Sequence, residues 1–96
     1  MPHYVVLANW TDQGIRTVKD TPKRAEALRK LVEAAGGKVL HILYTMGPYD
    51  VVSVTELPSD EVANEIAFRI GMQGNIRTVS MKAWTESEIG KTVQKL

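Results

Sequence analysis

Cysteine is absent, so the chain has no disulfide framework, no thiolate metal site and no cysteine nucleophile. Charge of one sign is also missing: 12 Lys and Arg stand against 11 Asp and Glu, a net of +1. A dedicated nucleic-acid binder usually carries a marked basic excess, so nucleic acid is not an expected partner. No stretch approaches the roughly 18 apolar residues of a membrane span. Met1-Pro2-His3-Tyr4 lacks the basic start and apolar run of a signal peptide, and a cytoplasmic location is the default. Low-complexity segments and linkers are lacking as well. What is present is 96 residues, 10.7 kDa and 44% hydrophobic content, which suit a single globular domain over 1–96. Area scaling for that mass gives about 5,500 Å² of folded surface.

Residues 4–10, Tyr-Val-Val-Leu-Ala-Asn-Trp, are β-branched and aromatic and read as a strand. Residues 11–20 are polar, with a turn signal at Thr11-Asp12-Gln13-Gly14. Thr21 then suits a helix cap and Pro22 the first helical position. Ala25, Leu28, Leu31, Val32 and Ala35 give that helix one apolar face, and Gly36-Gly37 ends it. Strands follow at 38–46 and 49–57, broken by Gly47-Pro48. Ser59 or Asp60 caps a second helix whose stripe is Val62, Ala63, Ile66, Ala67 and Ile70. Residues 76–84 read as a fourth strand. Thr85 and Glu88 have capping-box spacing, so 85–96 is a short helix, lined by Ile89, Val93 and Leu96, or a frayed arm.

Two strand-helix-strand halves predict an α+β, ferredoxin-like βαββαβ fold: a four-stranded antiparallel sheet with both helices on one face. The other face should then be polar, yet both strand parities are largely apolar. Tyr4, Val6 and Ala8 oppose Val5 and Leu7; Leu40, Ile42, Tyr44 and Met46 oppose Val39, His41 and Leu43. The pattern leaves open which set meets the helices. An apolar sheet face in water is an unusual patch for a monomer, so a second copy packed face to face is expected. Charge is split too, with seven bases and four acids over 12–38, and four acids and one base over 56–70. In this fold the two helices lie side by side, so their rims are expected to attract one another weakly.

At Gly47-Pro48-Tyr49-Asp50 the sequence resembles the GYD domain family, named for a Gly-x-Tyr-Asp motif entering the third strand. Asn9-Trp10-Thr11, Gly14-Ile15-Arg16, Lys19-Asp20, Arg24-Ala25, Gly36-Gly37, Glu56, Gly74-Asn75 and Arg77-Thr78 extend the likeness nearly through Glu86. The resemblance implies a ferredoxin-like subunit of a dimeric α+β barrel. It implies little chemistry, because related barrels include monooxygenases, isomerases, haem proteins and ligand-binding domains of regulators, and fold does not choose among them.

The expected topology gathers Trp10, Lys19, Tyr49, Asp50 and Arg77 at one rim of the sheet. They offer an indole, two cations, a phenol and a carboxylate, parts suited to a small polar or anionic organic ligand. The structural reading of Asp50 is a loop anchor that pairs with Lys19 or with loop amides. His41 is mid-strand: a packed residue, or a ligand contact if its parity faces an inter-subunit cavity. No clustered His/carboxylate spacing appears, so neither a metal nor another cofactor is expected. No serine stands in a nucleophile motif, and Gly71-Met72-Gln73-Gly74 ends a helix and lacks the Lys of a phosphate loop. Two functional classes follow. One is a self-associating module that binds a small ligand at the rim or between subunits. The other is a small dimeric-barrel enzyme, a cofactor-independent oxygenase or isomerase, which needs a base and donor such as His41 or Asp50 with Tyr44 or Tyr49.

Overall fold

The computed structural model describes residues 1–96. Strand β1 (His3–Trp10) leads into a short helix α1 (Asp12–Arg16), a 3-10 turn (Val18–Asp20) and helix α2 (Thr21–Ala34). Strands β2 (Lys38–Tyr44) and β3 (Val51–Glu56), helix α3 (Asp60–Met72), strand β4 (Ile76–Ala83) and helix α4 (Glu86–Val93) complete the chain. The sheet order is β2-β3-β1-β4 and every neighbouring pair is antiparallel, which gives the ferredoxin-like α+β fold.

The helices settle the question of parity. Tyr4, Val6, Ala8 and Trp10 face α2 and α3, and Val5 and Leu7 face away. In β2 simple alternation fails, because the register slips between Val39 and His41. A bulge there inserts one residue, so Val39 joins Ile42 and Tyr44 on the helix side rather than opposing them. Tyr4, Val32, Leu57 and Ile66 form the buried core, with Leu28, Leu31, Val39, Val62 and Ile70 packed around it. Helix α2 lies against β2 and α3 against β4, the two edge strands. The ion pairs accordingly run within each helix, Arg29–Glu26 in α2 and Arg69–Glu65 in α3, and none joins the two as charge segregation had suggested.

Residues 11–20 are more ordered than a polar loop. The Thr11 hydroxyl accepts the Gly14 N–H at 3.0 Å and caps α1. Gly14 is buried, and a Cβ there would lie 1.9 Å from the Asn75 carbonyl oxygen, so only glycine lets α1 seat against the start of β4. Arg24 of α2 clamps the segment, donating to the carbonyls of Gly14 at 3.2 Å and Thr17 at 2.9 Å and to the Thr17 hydroxyl. The residue in the cap position of α2 is Asp20 rather than Thr21, which instead donates its hydroxyl to the Val18 carbonyl. Ser59 caps α3, accepting from the Val62 N–H at 3.2 Å.

The strands joined by the Gly47 turn are shorter than alternation suggests. Gly47 adopts φ +110°, and the Thr45 N–H donates to the Asp50 carbonyl at 2.9 Å to close the loop. At the far end Thr85 and Glu88 form a capping box, with bonds of 3.2 and 2.8 Å. Residues 86–93 are therefore helical rather than frayed, with Ile89, Val93 and Leu96 exposed. No helix is long and apolar enough to cross a membrane.

Candidate functional site

The end of β1, the 45–50 loop and the start of β4 do share one rim of the sheet: Trp10 pairs with Ile76, and Asp50 adjoins Ala8. Asp50 is a fixed anchor. Its Oδ2 accepts the Trp10 N–H at 3.0 Å and the Asn9 amide at 3.4 Å, while its own N–H donates to the Ala8 carbonyl at 2.9 Å. Asn9 also donates to the Pro48 carbonyl at 2.8 Å, and the Thr45 hydroxyl to the Tyr49 carbonyl at 2.6 Å. The motif thus ties the hairpin loop to the last residues of β1. Thr11 and Gln13 bind the opposite flank, donating to the carbonyls of Gly74 at 2.5 Å and Gln73 at 3.0 Å.

The sheet divides the remaining candidates between two sides. Trp10 lies on the helix side and stacks on Tyr44, with ring centroids 6.3 Å apart and planes within 9°. Arg77 and His41 lie on the open side, opposite Asn9 and Val54, and both are exposed. Lys19 is exposed on the 3-10 turn and forms no ion pair with Asp50; Tyr49 is half-buried. No three His, Asp or Glu side chains are grouped to hold a metal ion.

Two larger surfaces frame this rim. The open face carries Val5, Leu7, Leu43, Val52, Val54, Val79 and Met81, and Leu43 and Val79 are 57% and 50% exposed. At its far end His3 sits between Glu56 at 3.2 Å and Glu88 at 3.8 Å. The second surface lies on the helix side of the sheet. Because α2 and α3 cover the edge strands, a cavity of about 130 Å³ opens over the central ones. Its floor is a cross-strand row of Ser53, Val6 and Ser80, followed by Val51, Ala8 and Thr78. Its walls are Ala25, Leu28 and Leu31 of α2 and Ala63, Ile66, Ala67 and Ile70 of α3. The sequence does carry a signal for this space, in alanines on the inward face of both helices opposite serines and an alanine below. Helical periodicity reads those same alanines as core.

Tyr4 passes from the floor to the start of α3, where its hydroxyl donates to Asp60 Oδ1 at 2.5 Å. Burial first, and then the Asp60 carboxylate, push the Tyr4 hydroxyl up to about 12. The Tyr4 hydrogen bond and then Lys82, whose ammonium donates to Asp60 Oδ2 at 3.3 Å, hold the Asp60 carboxyl below its ordinary value. Glu88 is lowered as well, through the Thr85 N–H it accepts in the capping box.

Comparison with known proteins gives three kinds of likeness. The Thermus thermophilus protein named "Glutamine synthetase and cystathionine beta-lyase binding protein" is 27% identical over 84 residues, 86% of this chain and 88% of that one. The crystal structure of FFRP-DM1 matches with a TM-score of 0.63 at 17% identity, over 88% of this chain and all of that one. TTHA0845, also from Thermus thermophilus, matches with a TM-score of 0.54 at 21% identity, over 88% of this chain and 95% of that one. These two structures share the fold. The GYD domain family model matches residues 4–93, nearly the whole sheet-and-helix framework described above, and the chain belongs to the GYD domain family.

Proposed function

We propose that this GYD domain is a binding module that works as a self-associated pair, two copies packing open face to open face. The observation that carries the reading is the open face itself, seven apolar side chains on four strands on the side away from α2 and α3. The molecule's dimensions support it. The single chain exposes 6686 Å², against about 5,500 Å² for a folded chain of this mass. The excess is on the scale of what one partner contributes to a specific interface, about 800 Å². A relative named as a binding protein for two enzymes is consistent with a role in association.

In this reading a small polar or anionic ligand lies between the paired faces at the rim, met by Arg77, with Lys19 and Tyr49 at the margin. Asp50 acts behind them by holding the loop. Native mass spectrometry and light scattering at micromolar concentration test the pairing and report any retained ligand. The expected species is at least twice 10.7 kDa, reduced to one chain by Leu43→Lys with Val79→Glu. A wild-type species of 10.7 kDa alone overturns it.

A further inference from the structure

The cavity on the helix side is separate from the open face and from the ligand position proposed at the rim. Its walls are mostly apolar and its volume is about 130 Å³. An apolar cavity of about 150 Å³ in another protein takes benzene, which sets the scale of what fits here. Two buried hydroxyls set the polarity. Ser53 and Thr55 are 7% and 5% exposed, and both line the space. A hydroxyl on an otherwise apolar wall favours a ligand that places a hydrogen-bonding group against it. Ser80, at the exposed edge of the space, brings a third hydroxyl across Val6 from Ser53.

Charge on the ligand is disfavoured. Arg24 is the one charged side chain along the wall, and its guanidinium already donates to the carbonyls of Gly14 and Thr17. A carboxylate or ammonium moved into this space would lose its hydration without gaining an opposite charge.

We infer that the space between α2, α3 and the central strands is a binding site for a neutral, single-ring aromatic molecule bearing one hydroxyl, which the Ser53 and Ser80 hydroxyls recognise. The ring fills the gap left by Ala25, Ala63 and Ala67, and the polar group turns down to the floor. Trp10 and Tyr44, stacked at the rim end, contribute aromatic surface to the same space.

The test uses phenol, toluene and benzoate with the whole chain, followed by amide NMR and thermal unfolding. Phenol is expected to bind with a Kd on the order of 1 mM, consistent with a ligand of so few atoms. It should shift Ala8, Ser53, Ala67 and Ser80 and raise Tm as ligand linkage requires. Ser53→Ala should weaken phenol about fivefold, the usual worth of one hydrogen bond, and leave toluene unchanged. Ala67→Leu fills the space and should abolish binding while holding or raising Tm; should that variant fail to fold, the Ser53→Ala comparison decides. Benzoate binding as well as phenol overturns the inference. So do shifts confined to Val5, Leu7 and Val79 on the open face, or no shift with any of the three compounds at about 10-fold above that Kd.

Discussion

Asp50 shows how much of a motif can be architecture. Its carboxylate fixes the Trp10 N–H and the Asn9 amide, and with them the rim at which β1 ends. Asp50→Ala is expected to cost about 1–2 kcal/mol in urea unfolding, through loss of charge-assisted hydrogen bonds. Asp50→Asn keeps an acceptor and should cost less. Gly14→Ala should cost about 3 kcal/mol, since the added Cβ meets the Asn75 carbonyl and the backbone of α1 must move. Tyr4 and Asp60 make stability depend on pH in opposite directions. From about 10 to about 12 the folded chain keeps the Tyr4 proton that the unfolded chain has lost, so stability falls as pH rises through that window. Asp60 titrates below its ordinary value of 3.8, so its contribution is present above that pH and is lost as pH falls through the lowered value. Urea midpoints across pH should show both slopes, and Tyr4→Phe should remove the alkaline slope and lessen the acid one.

Among the elements, those with a strong period were legible in the sequence and those fixed by partners were not. α2 and α3 declare themselves through Leu28, Leu31, Val32 and through Val62, Ile66, Ile70, because burial on one face demands that spacing. α1 has no such stripe. It exists because Thr11 caps it and Arg24 holds it from a distance of ten residues in sequence, and neither bond has a periodic signature. The facing of the sheet was hidden because both its sides are apolar, and in β2 because one extra residue reverses the alternation after Val39. α4 is the opposite case: its capping box was visible as Thr85 and Glu88, and it forms with its apolar residues still in water. A helix of eight residues is marginal alone. Thr85→Ala removes a cap worth about 1 kcal/mol and should unwind it, seen as lost helical circular dichroism and fast amide exchange over 86–93, with the Tm of the sheet unchanged.

At the scale of the molecule, the governing fact is that each long helix covers one edge strand. A cavity remains over the central strands, and the ion pairs of the helices run within each one. Stability should therefore respond little to salt: Tm between low salt and about 1 M should shift by no more than exposed pairs within helices allow. The candidate site was half legible for the same reason. Strand order alone brings Trp10, Asp50 and Asn75 to one rim, which topology foretells. The cavity over the central strands is set by how side chains from both helices and the sheet pack together, and no local pattern of residues encodes it. The surface of 6686 Å² exceeds the value of about 5,500 Å² that area scaling gives for this mass.

The slipped residue in β2 has a further consequence, because β2 and β4 are the two free margins of the sheet. A bulged margin is a poor template for a foreign strand, since its hydrogen-bonding groups no longer line up in an even row. β4 has no such interruption over its eight residues, and its outward amides and carbonyls form a regular ladder guarded only by the charges of Arg77 and Lys82. Growth by strand addition, in the plane of the sheet and without engaging either face, would begin at β4. A crowded or partly unfolded population would accordingly polymerise from one side, with β2 as the dead end.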